Sequence, residues 1–205
     1  MKIILSNAGK RFNREWIFRR ADLQFHPSTA YAITGPNGSG KSTLLQSVGG
    51  MLQLSEGNIK YDNQKGELPI EEVYQAVSFC APYLDLIEEM NLIEFLEFHQ
   101  RFKSFLPGLD VQKVISILGL EAAAQKQIRN YSSGMKQRVK LAQAILSETP
   151  VVLLDEPCSN LDVDGITLYH SLIDQYCKER LVIVSSNDEV EYRFCKEIID
   201  IKQYK

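Results

Sequence analysis

The run Gly35-Pro36-Asn37-Gly38-Ser39-Gly40-Lys41-Ser42-Thr43 constrains this chain more than any other stretch. It fits the pattern G-x-x-x-x-G-K-[ST]. It lies between a short apolar run, Ala30–Thr34, and a segment with helical spacing, Lys41–Leu52. Polyphosphate needs a tight loop whose backbone N–H groups converge, and glycines permit the backbone angles that this requires. The helix that follows brings the positive end of its dipole to the same point. In that geometry Lys41 reaches the outer phosphates and Ser42 ligates Mg2+. Gly35, Asn37, Gly38, Ser39, Gly40 and Thr43 complete the cradle.

A second motif complements the first. Val151-Val152-Leu153-Leu154 reads as a buried strand that ends in Asp155-Glu156. A carboxylate at the C-terminal end of such a strand stands where α/β proteins bind their ligands. Asp155 is expected to hold Mg2+ through water. Glu156 is the best-placed general base for a hydrolytic water. Together the two motifs define a P-loop NTPase.

The rest of the chain supports an α/β organisation. Lys2–Leu5, Ile17–Phe25, Asn58–Tyr61 and Val77–Cys80 read as short strands. A helical middle follows. Asn91–Phe105 has helical spacing, and Asp110 caps a helix to Leu118 with Gly119 beyond it. Ser132 and Ser133 precede a third helix with Met135, Val139, Ala142 and Leu146 on one stripe. The last third alternates again: helix Asp164–Cys177, strand Leu181–Val184, a short helix, and a strand near Ile198–Ile201. Apolar strands alternating with helices imply a parallel sheet covered on both faces.

Composition narrows the partners. The 205 residues are 44% hydrophobic and 24% charged, enough for one domain with a real core. Lys and Arg number 23 against 26 Asp and Glu, so bulk charge does not suit a coat for nucleic acid, and no nucleic-acid partner is expected. No apolar run approaches the roughly 18 to 20 residues that span a bilayer, and none at the N-terminus is long enough for a secretory signal. Any membrane connection therefore runs through a partner. The four cysteines form no CxxC, which suits reduced thiols in a cytosolic protein, and the three dispersed histidines suggest no zinc site.

Three further segments carry a resemblance. Tyr131-Ser132-Ser133-Gly134-Met135 precedes Asp155, Ser159-Asn160-Leu161-Asp162 follows Glu156, and Lys10-Arg11-Phe12 lies near the start. In order and spacing they resemble the signature (Leu-Ser-Gly-Gly-Gln), the D-loop (Ser-Ala-Leu-Asp) and the aromatic A-loop of ATP-binding-cassette (ABC) ATPases. Phe12 fits the adenine-stacking place, with Trp16 the nearby alternative. The resemblance implies a RecA-like P-loop core with an antiparallel β subdomain, at 1–81 and 144–205, and an inserted α-helical subdomain at 82–143. It implies ATP and Mg2+, and a homodimer or heterodimer closing head to tail. Ser132 and the amides around Gly134 of one chain would then meet the γ-phosphate held by Lys41 of the other, and Asp162 would help fix the interface. The helical lobe would pass the motion to a transmembrane subunit, with the chain cytoplasmic and peripheral on the inner face of the membrane.

The chain also departs from the family. Tyr131, Ser133 and Met135 replace signature residues. Pro82 stands where the Q-loop Gln belongs, with Asp85 three residues on either an ordinary loop carboxylate or a substitute acting through water, and Asn187 stands where the switch His belongs. Proline offers no side-chain donor. An amide can donate to a phosphate oxygen but carries no charge and shuttles no proton. Slow hydrolysis with intact binding is the expectation. The alternative is a weakly hydrolytic half of a heterodimer. A soluble cassette of DNA repair or translation would need a long coiled coil or a second cassette, and a GTPase would need an Asn-Lys-x-Asp motif. The few residues after the last strand suggest no C-terminal regulatory domain, which leans towards an exporter-type or simple two-component system.

Overall fold

The β-formers at the start of the chain make longer strands than their apolar residues suggest. In the structure, a computed structural model describing residues 1–63 and 66–205, β1 (Lys2–Phe12) and β2 (Glu15–Phe25) form an antiparallel hairpin. The sequence pattern predicts only Lys2–Leu5 and Ile17–Phe25. Register shifts between Leu5 and Arg11 explain the difference, because a bulge breaks the period-two alternation that marks a strand. Then come β3 (Ala30–Thr34), α1 (Lys41–Val48), β4 (Glu56–Asn63) and β5 (Gly66–Leu68). The first sheet has the order β2-β1-β4-β5, with antiparallel pairs throughout.

Helix α1 stops at Val48, short of the expected Leu52. Gly50, at φ 73°, turns the chain out of the helix. The Met51 N–H donates to Gln46 O and the Gly50 N–H to Ser47 O, a Schellman ending. The buried Tyr61 hydroxyl adds a bond to Val48 O at 3.0 Å, and desolvation raises its pKa.

The remaining elements are α2 (Val73–Ala76), β6 (Val77–Cys80), α3 (Leu92–Gln100), α4 (Val111–Leu118), α5 (Ser133–Ile145), β7 (Val151–Asp155), α6 (Val163–Tyr176), β8 (Leu181–Ser185), α7 (Glu189–Tyr192) and β9 (Glu197–Asp200). The second sheet runs β6-β7-β8-β3-β9, and β7/β8, β3/β8 and β3/β9 are parallel, as the apolar runs implied. Every residue of β7 and β8 is buried. The fold is the P-loop, RecA-like α/β core with an antiparallel sheet and inserted helices.

The chain divides into two compact units. The first comprises 1–79, 149–155 and 179–205, and the second 80–148 and 156–178. In the first, Ile3, Phe18, Phe25, Ile33, Leu44, Leu45, Leu153 and Ile183 share one buried cluster. In the second, α3 opens on a capping box between Asn91 and Glu94. It ends at Gln100 rather than Phe105, which forms an isolated bridge with Ser147. Helix α4 begins after Asp110 and stops at Gly119, φ 64°, as the sequence predicted.

Buried in the second unit, His99 Nε2 lies 2.8 Å from Ser147 Oγ, which donates to Gln143 O at 2.6 Å. The ring therefore donates to the serine. Burial, with Lys103 nearby, pushes the imidazole down to about 4. The unfolded chain, with a normal histidine, binds more protons between pH 4 and 6.5. Stability should rise with pH across that window and be flat above it, by at most about 3 kcal/mol. Urea unfolding at pH 4.5 and 7 should show this slope in the wild type and a flatter one in His99→Gln.

Candidate functional site

In the first unit the phosphate loop sits between β3 and α1. Gly35, Gly38 and Gly40 have φ 145°, 75° and 100°, a region that L side chains rarely adopt. The Ser39 N–H donates to Pro36 O at 3.1 Å and closes the turn. A Cβ on Gly40 would lie 2.4 Å from Ile17 Cγ2, so β2 rests directly against the loop and only a hydrogen fits between them. Lys41 is 4% exposed. Its Nζ donates to Gly35 O at 2.9 Å and to Pro36 O at 3.3 Å, and to no carboxylate among the described residues. A buried cation without a counter-charge is costly, and an anion arriving at the loop would supply one. The first turn of α1 carries no acidic residue that would offset its dipole, and Ser42 and Thr43 are half-buried within it. Asn37 is exposed.

Asp155 ends β7 with 2% exposure, and its Oδ1 has no hydrogen-bond partner among the described residues. Nor has the buried Ser39 Oγ. Orphaned buried oxygens are rare, and a carboxylate oxygen of this kind suits a cation. Among the described residues no group of three or more His, Cys, Asp or Glu gathers to hold a metal alone. Magnesium needs no such cage, because it usually takes one or two protein oxygens together with substrate phosphates. Asp155 and Ser42 fit that pattern.

Phe12 closes β1 with 48% exposure, and Lys10 Nζ stands 5.1 Å from its ring centroid. The Trp16 ring is more occupied. The Arg19 guanidinium, held by Glu56 at 2.7 and 3.0 Å, lies 4.3 Å from its centroid, and Arg11 lies 5.5 Å away. Of the two aromatics left open by the sequence, Phe12 offers the freer face. Asn187 is exposed just beyond β8. Beside it, Ser186 Oγ accepts from the Asp188 N–H at 2.9 Å, and Asp188 caps α7 through the Val190 N–H.

The second unit presents the other motifs. Glu156 is a non-glycine residue at φ 42°. Such strain costs on the order of 1–3 kcal/mol and gathers at functional sites. Ser132 caps α5, its hydroxyl accepting from the Met135 N–H at 3.2 Å. A Cβ on Gly134 would meet Asn160 O at 3.1 Å, so the signature backbone lies close to the D-loop. Asp162 caps α6, accepting from the Gly165 N–H at 2.8 Å and from Arg138 Nη2 at 3.1 Å. The first of these bonds does most to hold its carboxyl below the usual range. A cavity of about 510 Å³ opens here, lined in part by Ser132, Gly134, Met135, Arg138 and Asp162.

Helix α5 also makes contacts that its stripe of apolar residues did not reveal. Lys140 Nζ donates to Pro82 O at 2.7 Å, Lys136 pairs with Glu88, and the buried Gln137 amide donates to Pro157 O at 2.7 Å. Pro82 thus takes part through its carbonyl, and Asp85 is exposed. Met135, expected on the buried stripe, is only half-buried, while Leu141, Ala144 and Ile145 are buried. The contacts of Lys136, Gln137 and Lys140 are long-range, and no local pattern announces them.

Comparison with known proteins agrees with the motifs. The family model described as ABC transporter matches residues 18–159. The cytochrome c biogenesis ATP-binding export protein CcmA of Xylella fastidiosa (strain 9a5c) is 33% identical over 153 residues, covering 74% of this chain and 68% of the relative. The ABC transporter ATP-binding protein YybJ of Bacillus subtilis (strain 168) is 29% identical over 191 residues, covering 90% and 84%. An ABC transporter ATP-binding protein from Pyrococcus furiosus superposes over 100% of both chains with a TM-score of 0.82 at 22% identity. A dimeric ATP-binding cassette solved in a post-hydrolysis state with ADP and Pi covers 96% of this chain and 92% of its own, with a TM-score of 0.80 at 22% identity. At those identities the solved structures bear on the fold, while the family model and the sequence relatives bear on descent. With the phosphate loop, Asp155-Glu156, the signature and the D-loop all in family order, the chain belongs to the ATP-binding subunits of the ABC transporter family.

Proposed function

We propose that this chain binds Mg·ATP on its first unit and closes on it with a second copy, or a related chain, to drive a separate transmembrane subunit. The observation that carries this is the buried Lys41 ammonium, which meets no carboxylate among the described residues, in a loop whose glycines hold positive φ angles. The CcmA relatives, named ATP-binding export proteins, and the dimeric cassette bound to ADP and Pi support it. In this reading 1–81 and 144–205 serve the nucleotide, and 82–143 faces the membrane subunit. Among the described residues no helix is long and apolar enough to cross a membrane, which suits a peripheral place on the inner face.

Each residue then has a physical task. Phe12 stacks on adenine. Lys41 and the amides of the loop neutralise the β- and γ-phosphates, and Ser42 and Asp155 would hold Mg2+, which when bound would supply positive charge to the phosphate oxygens. Glu156 takes the proton of the attacking water. Ser132 of the partner subunit and the amides at its signature helix meet the γ-phosphate as a helix N-terminus meets an anion. Asn187 donates one hydrogen bond to that phosphate but cannot supply a positive charge, and Pro82 offers no side-chain group. Hydrolysis is therefore slow.

Steady-state ATPase assays and sedimentation of the purified chain test the reading. The wild type should bind Mg·ATP and dimerise on it, with low turnover. Asn187→His should raise kcat roughly tenfold at little cost in KM, since a charge-assisted bond is about twice as strong as a neutral one. Failure of the wild type to bind Mg·ATP would sink the proposal. Binding without any turnover, unmoved by Asn187→His, would favour the weak half of a heterodimer, a reading that Asn187 and Pro82 also suit.

A further inference from the structure

Strand β8 ends at Ser185 and Ser186 follows it; of the two, Ser186 has an evident use within the chain. Its hydroxyl accepts from the Asp188 N–H and tightens the turn. Ser185 follows four apolar residues, Leu181 to Val184, in a fully buried strand, where packing alone gives no reason for a hydroxyl. It is 0% exposed, and its Oγ has no hydrogen-bond partner among the described residues.

Its position gives the hydroxyl a meaning. Ser185 is the register partner of Asp155 across the parallel pair β7/β8. Side chains at paired positions leave the same face of the sheet, on strands about 4.8 Å apart. Asp155 Oδ1 is likewise buried and without a partner, so the two groups are not bonded to each other. Buried polar groups almost always find partners, and a buried oxygen bridging such groups needs two or more of them. Two adjacent orphans on one face, at the C-terminal end of the strands, supply that pair.

We propose that Ser185 is a positioning residue of the divalent-cation site, its hydroxyl sharing with Asp155 an oxygen from the hydration shell of the ion. This rests on the reading that the first unit binds a magnesium nucleotide. The hydroxyl fixes where Asp155 holds the ion relative to the phosphate loop, as outer-shell partners do at other metal sites. Its effect is on metal affinity first and on turnover second.

The test uses the full chain, Mn2+ as the metal probe and a non-hydrolysable ATP analogue, with Mn2+ binding followed by electron paramagnetic resonance. Ser185→Ala removes one atom and leaves the strand's packing nearly intact. It should weaken Mn2+ roughly tenfold in the presence of the analogue, the lower end of the usual loss for an outer-shell partner. Affinity for the analogue without metal should stay within about twofold, and the metal-free Tm should not fall, because an unsatisfied hydroxyl has been removed. Ser185→Thr keeps the hydroxyl and should restore Mn2+ binding. Wild-type Mn2+ affinity in Ser185→Ala would overturn the proposal and leave the nucleotide reading standing. Weak Mn2+ binding in a folded Ser185→Thr would overturn it too, by reducing Ser185 to a packing role. Failure of the wild type to bind the analogue at all would remove the nucleotide reading and this inference with it.

Discussion

Gly40→Ala is expected to raise the Kd for Mg·ATP by more than about 100-fold. Two independent costs meet at that position. The backbone angle, φ 100°, is one that an L side chain holds only under strain of about 1–3 kcal/mol. The added Cβ would also lie 2.4 Å from Ile17 Cγ2 and 3.4 Å from Ile17 O, so β2 would have to move. Overpacking of this kind costs about 1–3 kcal/mol more. The loop escapes both by leaving the cradle conformation, and the escape is then charged against binding, where about 2.7 kcal/mol is a factor of 100. Gly38→Ala is the control. Its φ is 75°, but nothing lies within 4 Å of the new atom, so only the backbone strain applies and a loss near tenfold is expected. Titration with a fluorescent ATP analogue, alongside thermal unfolding, compares the two. Equal losses would mean that the close approach of Ile17 plays no part.

Glu156→Gln should lower steady-state hydrolysis by at least about 100-fold, the ordinary worth of a positioned general base, while Mg·ATP affinity stays within about twofold. The substitution keeps the side chain's size, so the turn after β7, closed by the Ser159 N–H on Glu156 O at 3.1 Å, is retained. It removes the carboxylate's charge and with it the ability to accept a proton. The ATP-bound dimer should therefore persist, visible in sedimentation as a stable species that the wild type loses as it turns over. A variant with unchanged turnover would move the base to another residue or place the competent site on a different chain.

What could be read from the sequence was what is written locally. The phosphate loop is nine consecutive residues, and its conformation follows from three glycines within it. Strands β3 and β6 and the Asp110–Gly119 boundaries of α4 were legible for the same reason: an apolar run or a cap lies within a few residues of the end that it defines. The ends of α1 and α3 were not. Tyr61, from strand β4, adds a bond to the carbonyl that ends the first, and Phe105 bridges to Ser147 instead of extending the second. The bulges of β1 hid its second half. Within the site, the freedom of Phe12 against Trp16 depends on Arg19 and Glu56, which no spacing rule joins. Ser185 was invisible because a serine at the end of an apolar strand means nothing until the register sets it beside Asp155.

Helix α5 holds Pro82 and Glu88 through Lys140 and Lys136, and Pro157 and Asp162 through Gln137 and Arg138. To open any one of these stretches alone, the chain must strip a hydrogen bond from a backbone carbonyl or separate an ion pair while the helix keeps its place. These ties favour cooperative opening of α5 with the segments around 82–88 and 157–162. Protection of the amides around 82–88 and around 157–162 against hydrogen exchange is therefore expected to change together when α5 is perturbed.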